Sequence, residues 1–191
     1  YKPNQVFSRI SQAKNSLLTY DIYQEDPEIQ SEDLSSGRPK TGFLFEQYVK
    51  KCHQSGAMDF DDLLFNTNVL FRDHIDVLNK YQHRFKYVMV DEFQDTNVSQ
   101  YLITKKLSAV SQNIAVVGDD AQSIYAFRGA NIENILNFEK DFPDLKVIKL
   151  EQNYRSTKNI VEAANSLIAR NKGQLKKSVW TANGEGNRIE L

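Results

Sequence analysis

The chain has 191 residues, of which 40% are hydrophobic, and a formal net charge of -1. This length can bury a core in one or two domains, and the near-neutral charge excludes a general electrostatic attraction to nucleic acid, so any such binding must come from local patches or stacking. The single cysteine, Cys52, excludes an internal disulfide and fits a reducing compartment, which we expect to be the cytoplasm.

Neither a secretory signal nor an apolar run of membrane-spanning length is found in the sequence, so we expect a soluble protein with no membrane partner. The chain begins at Tyr1, within residues typical of the approach to a helix. We therefore expect a piece of a longer protein.

The first 58 residues are predicted to form a small helical subdomain. Apolar residues at helical spacing indicate a helix over 6–18, with Ser8 as the candidate cap, and a second helix over 43–52 that stops at Gly56. Between them, residues 21–42 contain two prolines, two glycines and few apolar anchors. This composition predicts a long, mobile connection.

An acidic cluster opens the next predicted helix. Asp59 is a good N-cap, and Asp61 and Asp62 fall in the first turn, where the helix dipole favours negative charge. This account explains the cluster without a metal, so we favour a cap over a metal site. Apolar residues continue this helix to Phe71, and a further helix is predicted around Ile75 to Tyr81.

A short buried strand is predicted at Val88–Val90, and Asp91 and Glu92 follow it directly. Ligands of open α/β sheets lie at the carboxyl ends of strands, and Mg²⁺ takes one or two carboxylates there, with water and phosphate completing its shell. A neighbouring glutamate can then act on a water that attacks a phosphate. A strand that ends in a solvated acidic turn explains the same residues, and for this stretch taken alone it is the favoured interpretation; the residues further along the chain reverse that preference.

A second acidic strand end follows after one helix. Thr96 or Asn97 caps the helix, and the strand that ends at Val117 leads into Asp119 and Asp120. Strand, helix and strand in about thirty residues predict parallel strands, whose acidic ends share one edge of the sheet. The Gly-Asp-Asp sequence also resembles the metal hairpin of a polymerase palm. That hairpin needs adjacent antiparallel strands, whereas a helical segment follows here, so the polymerase interpretation is disfavoured.

The next residues carry groups suited to nucleic acid. Gln122 is close enough to the second strand end to reach the same ligand, while Tyr125, Phe127 and Arg128 can stack on unpaired bases and hold a phosphate. Packing of these aromatic side chains into the core is an equally good explanation. A helix is predicted over 132–138.

A third strand is predicted over 145–150, followed by Arg155 and a helix capped by Ser156 or Thr157. Arg155 can bind an anion together with the helix amides, or it can be a solvated surface residue. From Lys146 to Leu191 there are nine basic and four acidic residues. A non-catalytic module that binds single-stranded DNA is therefore an alternative function.

Three long motifs stand in order in this sequence: VMVDEFQDT at 88–96, VVGDDAQSIYAFRGA at 116–130 and LEQNYRST at 150–157. They resemble motifs II, III and IV of the UvrD/PcrA/Rep group of superfamily 1 DNA helicases, and the resemblance extends to DFDDLL at 59–64 and SRISQAKN at 8–15. It implies an α/β fold, with a partial RecA-like P-loop NTPase domain, parallel strands and a helical insertion. Residues 1–58 would belong to a helical 1B-like subdomain, 59–148 to the second half of the RecA-like 1A domain, and 149–191 to the start of the 2A domain.

The resemblance also implies roles in ATP hydrolysis. Asp91, with Glu92 beside it, would position Mg²⁺, and Glu92 would activate the attacking water. Gln122 would sense the γ-phosphate and couple it to DNA. Tyr154 would stack on adenine, and Arg155 would reach the γ-phosphate as an arginine finger.

Toward DNA, the resemblance implies that Tyr125 and Phe127 stack on single-stranded bases and that Arg128 links the DNA and nucleotide sites. Phe127 stands where the family commonly has tryptophan, and Ala121 where many relatives have aspartate. The implied partners are ATP, single-stranded DNA, duplex junctions and the remaining helicase domains, in DNA repair or replication.

A P-loop requires Gly-Lys followed by Ser or Thr, and none of the eight glycines has this context. The resemblance implies that the parent is an ATP-dependent DNA helicase. Because this chain has no P-loop sequence, we expect that it alone neither hydrolyses ATP nor unwinds DNA.

Overall fold

The computed structural model describes residues 1–126, 129–171 and 173–190, and these form a mixed, mainly helical structure with one small parallel sheet. None of the helices in these residues is long and apolar enough to cross a membrane. The helices and strands of the described residues are α1 (Pro3–Asn15), α2 (Tyr20–Glu25), α3 (Pro27–Ser35), α4 (Thr41–Gln54), α5 (Phe60–Asp73), α6 (Ile75–Arg84), β1 (Val88–Val90), α7 (Val98–Ser108), β2 (Ile114–Val116), α8 (Glu133–Leu136), α9 (Phe138–Asp141) and α10 (Lys158–Ile168).

The N-terminal helices enclose a core of their own. Its buried residues come from α1, α2 and α4, and they are Val6, Ile10, Ala13, Tyr23 and Phe45. The predicted first helix is present, but Ser8 is not its cap. Pro3, whose fixed φ suits the first turn, starts the helix after Lys2, so Ser8 lies within it.

The prediction of a long, mobile connection over 21–42 is wrong, because α2 and α3 occupy much of it. The Thr19 hydroxyl accepts a hydrogen bond from the Ile22 N–H at 3.3 Å, which caps α2. Asp26 accepts bonds from two N–H groups at the start of α3, at 2.9 and 3.1 Å, and Pro27 follows it in the first helical position. Asp-Pro marks a helix start here, not a break.

The acidic cluster before α5 has the predicted capping role. Asp59 accepts a hydrogen bond from the Asp62 N–H at 2.7 Å, and the Asp62 carboxylate accepts one from the Asp59 N–H at 3.1 Å. The Lys14 ammonium lies 2.8 Å from Asp59 and 2.7 Å from Asp62, and Lys14 is only 2% exposed. This buried ion pair fastens α1 to the start of α5.

Strands β1 and β2 pair in parallel, with Val88 opposite Ile114 and Val90 opposite Val116. The connecting helix α7 begins with a reciprocal cap between Asn97 and Gln100. The predicted strand–helix–strand unit is therefore confirmed, with Asn97 and not Thr96 as the cap.

The predicted third strand over 145–150 is wrong. Those residues have no regular structure, and Ile148 and Leu150 are exposed. A strand needs a neighbour to bond with, and in the described part of the chain only an isolated bridge from Gln152 to Trp180 forms nearby. The single helix predicted over 132–138 is instead two short helices, α8 and α9, which meet at Asn137.

Candidate functional site

The candidate site begins where β1 and β2 end, at a shared edge of the sheet. Pairing continues beyond the strands, because the Val117 N–H donates to the Val90 carbonyl at 2.8 Å and the Phe93 N–H donates to the Val117 carbonyl at 2.9 Å. The segments that follow the two strands therefore leave the sheet side by side. The predicted common edge is confirmed.

Gln94 joins these two segments. Its side chain is 1% exposed; the amide nitrogen donates to the Glu92 carboxylate at 2.8 Å, and the amide oxygen accepts from the Asp119 N–H at 3.0 Å. Gly118 lies beside Gln94, and the absence of a side chain there has a steric reason. A Cβ on Gly118 would lie 2.7 Å from the Gln94 side-chain oxygen. Sequence reasoning missed Gln94, and the available signal was an amide placed two residues after the strand-end glutamate.

Glu92 has a left-handed backbone, with φ 51° and ψ 41°. The other non-glycine residues with positive φ in the described ranges, Leu17 and Gln112, follow helix ends, where this conformation is common. Glu92 instead follows a strand, at a cost of about 1–2 kcal/mol. Strained residues that the surrounding structure holds in place cluster at active sites.

Asp91 and Glu92 are exposed and line an open concavity of about 420 Å³, together with Asp95 and residues of α5 and α7. One oxygen of Asp91 accepts from the Glu92 N–H at 2.9 Å. One oxygen of Asp95 is buried without a hydrogen-bond partner among the described residues. Acidic oxygen atoms of this kind fit a hard divalent cation.

Within the described residues, no three His, Cys, Asp or Glu side chains form a group that could hold a metal alone. A Mg²⁺ held at this edge would therefore take one or two protein carboxylates and complete its shell with water and phosphate oxygens. This is the coordination that the sequence predicts for Asp91 and Glu92.

Gln122 follows the second strand end in a short 3-10 turn, and its amide donates to Asp119 at 2.8 Å. The Lys177 ammonium forms ion pairs with Asp119 and with the almost fully buried Asp120. Burial opposes charge on both Lys177 and Asp119. Their hydrogen bonds and the attraction between the opposite charges together outweigh that effect, so the pKa of Lys177 is raised and the pKa of Asp119 is lowered. Lys177 is a second residue that sequence reasoning missed.

Tyr154 and Arg155 form a separate exposed set. The Asn153 side chain accepts hydrogen bonds from the Arg155 and Ser156 N–H groups at 2.9 and 2.7 Å, which holds the turn before α10. The Tyr154 hydroxyl donates to Gln152 at 2.9 Å. The structure thus presents both side chains to solvent.

Of the residues predicted to contact DNA, Tyr125 is 38% exposed and follows the 3-10 turn of Gln122. Phe127 and Arg128 lie outside the described residues.

The family model described as the UvrD/REP helicase N-terminal domain matches residues 2–143, and the UvrD-like helicase C-terminal domain matches residues 148–191. The chain is 44% identical over 189 residues to the ATP-dependent DNA helicase PcrA of Leuconostoc citreum, covering 99% of this chain and 24% of that protein. It is also 44% identical over 190 residues to PcrA of Staphylococcus epidermidis, covering 100% of this chain and 25% of that protein. The chain thus spans about a quarter of the length of the curated relatives it matches.

Proposed function

Since the chain belongs to the UvrD/REP helicase family, we propose that it carries half of the ATP site of an ATP-dependent DNA helicase. The whole protein would couple ATP hydrolysis to translocation on single-stranded DNA and to duplex unwinding, in DNA repair or replication. One observation carries this proposal: Gln94 joins Glu92 to the backbone of Asp119 across two parallel strand ends. We also propose the domain assignment implied by the sequence, with residues 1–58 in a 1B-like subdomain, 59–148 in a RecA-like 1A domain and 149–191 at the start of 2A.

In the proposed reaction, Glu92 accepts a proton from the attacking water. A bond forms between the water oxygen and the γ-phosphorus, and the bond from that phosphorus to the β–γ bridging oxygen breaks, which releases ADP and phosphate. Mg²⁺, bound through Asp91 and phosphate oxygens, would neutralise charge on the phosphates. The hydrogen bond from Gln94 fixes the rotamer of Glu92, and the left-handed backbone directs the carboxylate.

Tyr154 and Arg155 would complete the nucleotide contacts from the C-terminal segment. We propose that Tyr154 stacks on adenine and that Arg155 contacts the γ-phosphate. Both side chains are exposed, while Asn153 holds the backbone that carries them, so each can reach a ligand without loss of an internal ion pair seen among the described residues. Gln122 would report on the same phosphate from the first segment.

For DNA, we propose that Tyr125 and Phe127 stack on unpaired bases and that Arg128 connects them to the nucleotide. Stacking tolerates any sequence, as a translocating motor requires. The basic composition of residues 146–191 favours a second candidate for this chain in isolation, a non-catalytic module that binds single-stranded DNA. Such binding would weaken steeply as salt rises.

The decisive experiment replaces Glu92 in the complete helicase. Glu92→Gln should abolish ATP turnover and spare ATP binding, because the amide keeps the shape of the carboxylate but cannot accept the proton. Glu139→Gln, at an exposed site on α9, is the matched control and should hydrolyse ATP normally. Retained turnover in Glu92→Gln would assign water activation to another residue.

A second variant tests the C-terminal contribution. Arg155→Ala should also impair turnover, since an arginine on the γ-phosphate stabilises charge in the transition state. The 191-residue chain alone lacks a Gly-Lys-Ser/Thr sequence. We propose that it is inactive, and Mg²⁺-dependent ATP hydrolysis by the purified chain would contradict this.

A further inference from the structure

We propose that Lys177 is a positioning residue for Gln122, acting through the carboxylate of Asp119. It would make the orientation of Gln122 depend on the contact between the two segments that the family models match. The inference rests on the proposed function, because that function gives Gln122 its role toward the nucleotide.

The Asp119 carboxylate stands between the two side chains. One oxygen accepts from the Lys177 ammonium and from the Ala121 N–H, the latter at 3.0 Å. The other oxygen accepts from the Gln122 amide at 2.8 Å. The rotation of this one carboxylate therefore sets where the Gln122 side chain lies.

Asp120 gives Lys177 a second anchor. Its side chain is 2% exposed, and it accepts from Lys177 at 2.9 Å and from the Leu175 N–H at 2.8 Å. A buried carboxylate needs a paired cation, and adjacent carboxylates repel each other without one. Lys177 supplies that cation to both residues at once.

The contact between Lys177 and the two aspartates joins distant segments of the chain. Asp119 and Asp120 lie in the segment matched by the N-terminal family model, and Lys177 lies in the segment matched by the C-terminal one. A shift of the second segment would pull the ammonium away from Asp119. The carboxylate could then rotate, and Gln122 would lose the acceptor that orients it.

A purely structural role predicts something different. Lys177 would then only hold residues 175–177 against the 3-10 turn, and its loss would loosen that segment without a specific effect on the chemical step. The separation of kcat from KM distinguishes these roles, because a misoriented Gln122 affects turnover more than ATP affinity.

The first experiment measures ATP hydrolysis by the complete helicase at saturating single-stranded DNA. Lys177→Met should lower kcat about tenfold and change the KM for ATP less than about twofold, as for other residues that orient a functional side chain. Lys177→Arg should restore most of the activity, because a guanidinium also pairs with both carboxylates. Lys176→Met is the matched control; Lys176 is exposed and contributes its backbone carbonyl to a contact with Lys149, so its kcat should be unchanged.

A double variant tests the path through Asp119. Asp119→Asn should lower kcat as Lys177→Met does, and the combination should lose no more than either single change, because the two residues act in series. An unchanged kcat in Lys177→Met, or fully additive losses in the double variant, would overturn the inference.

The second experiment needs no catalysis. Trp180 is the only tryptophan in the chain and lies three residues after Lys177. In the 191-residue chain, Lys177→Met should increase quenching of Trp180 fluorescence by acrylamide, whereas Lys176→Met should not. Equal quenching in these two variants would overturn the proposed anchor. Absence of ATP hydrolysis in the complete wild-type helicase would instead refute the proposed function.

Discussion

Replacement of Gln94 by leucine tests the central feature of the site, the bridge between the two strand ends. Leucine fills a similar space, but it has no acceptor for the Asp119 N–H and no donor for the Glu92 carboxylate. We expect the folded chain to be less stable. In the complete helicase, Glu92 should also lose its fixed rotamer and turnover should fall.

The size of the effect follows from where the two hydrogen bonds lie. An N–H left without an acceptor costs about 1–3 kcal/mol. Loss of the hydrogen bond to Glu92 adds little to this cost, because that carboxylate is exposed and water can replace the amide. Leucine is easier to bury than an amide, and this offsets part of the destabilisation. We therefore expect a net decrease of about 1–2 kcal/mol in the free energy of unfolding.

Gln94→Glu separates the two functions of the amide. It keeps the acceptor for Asp119 and places a third carboxylate beside Glu92 and Asp95. The folded-state pKa of the new carboxyl should rise because of this repulsion and the burial of the site. Because the folded-state pKa of this carboxyl is raised, the stability that the new glutamate contributes is present at acid pH and is lost as pH rises above about 4.

The assay is urea denaturation followed by far-ultraviolet circular dichroism. Gln5→Leu, at an exposed position on α1, is the control for the same chemical change and should behave as wild type. If Gln94→Leu unfolds at the same urea concentration as Gln5→Leu, the buried bridge contributes nothing to stability and our account of the site is wrong.

Further variants test the packing and charges around this site. Gly118→Ala should destabilise the chain by about 1–3 kcal/mol in calorimetry, because its Cβ would press on a buried side-chain oxygen, whereas Gly184→Ala meets nothing within 4 Å and should be neutral. Lys14→Met removes the cation from a buried pair and should cost about 3 kcal/mol in urea denaturation, against less than about 1 kcal/mol for Lys50→Met in an exposed pair. Burial alone would raise the pKa of Asp59, but hydrogen bonds, chiefly from Lys14, lower it. Because the folded pKa is depressed, the stability from Asp59 is present above about pH 4 and is lost as pH falls; an equal acid-induced loss in wild type and Lys14→Met would contradict this assignment.

Local signals made part of this structure predictable from sequence. Asp59 and Asn97 cap helices through hydrogen bonds to residues three positions away, so the sequence pattern contains the whole interaction. The parallel pairing of β1 and β2 follows from the helix between them. The cap at Asp26 is a signal of the same kind, but it does not predict a helix unambiguously, because a proline directly after an aspartate is typical of turns as well as of helix starts.

The remaining features depend on contacts between distant residues. Gln94 and Asp119 are 25 positions apart, and Lys177 and Asp119 are 58 apart. No local pattern specifies such partners, because only the packed chain decides which polar groups meet. The third predicted strand fails for a related reason, since an apolar run shows β-propensity but does not supply the neighbour that a strand needs.

These distant contacts explain how the two strand ends can act together. The sheet places Glu92 and Gln122 on one edge, but a shared edge does not by itself connect their side chains. The connection is a chain of hydrogen bonds from Glu92 to Gln94, from Gln94 to Asp119, and from Asp119 to Gln122, with distances of 2.8, 3.0 and 2.8 Å. Under the proposed function, this chain joins the residue that activates water to the residue that senses phosphate. Both links meet at Asp119, one at its amide and one at its carboxylate, so a displacement of that residue must affect both ends.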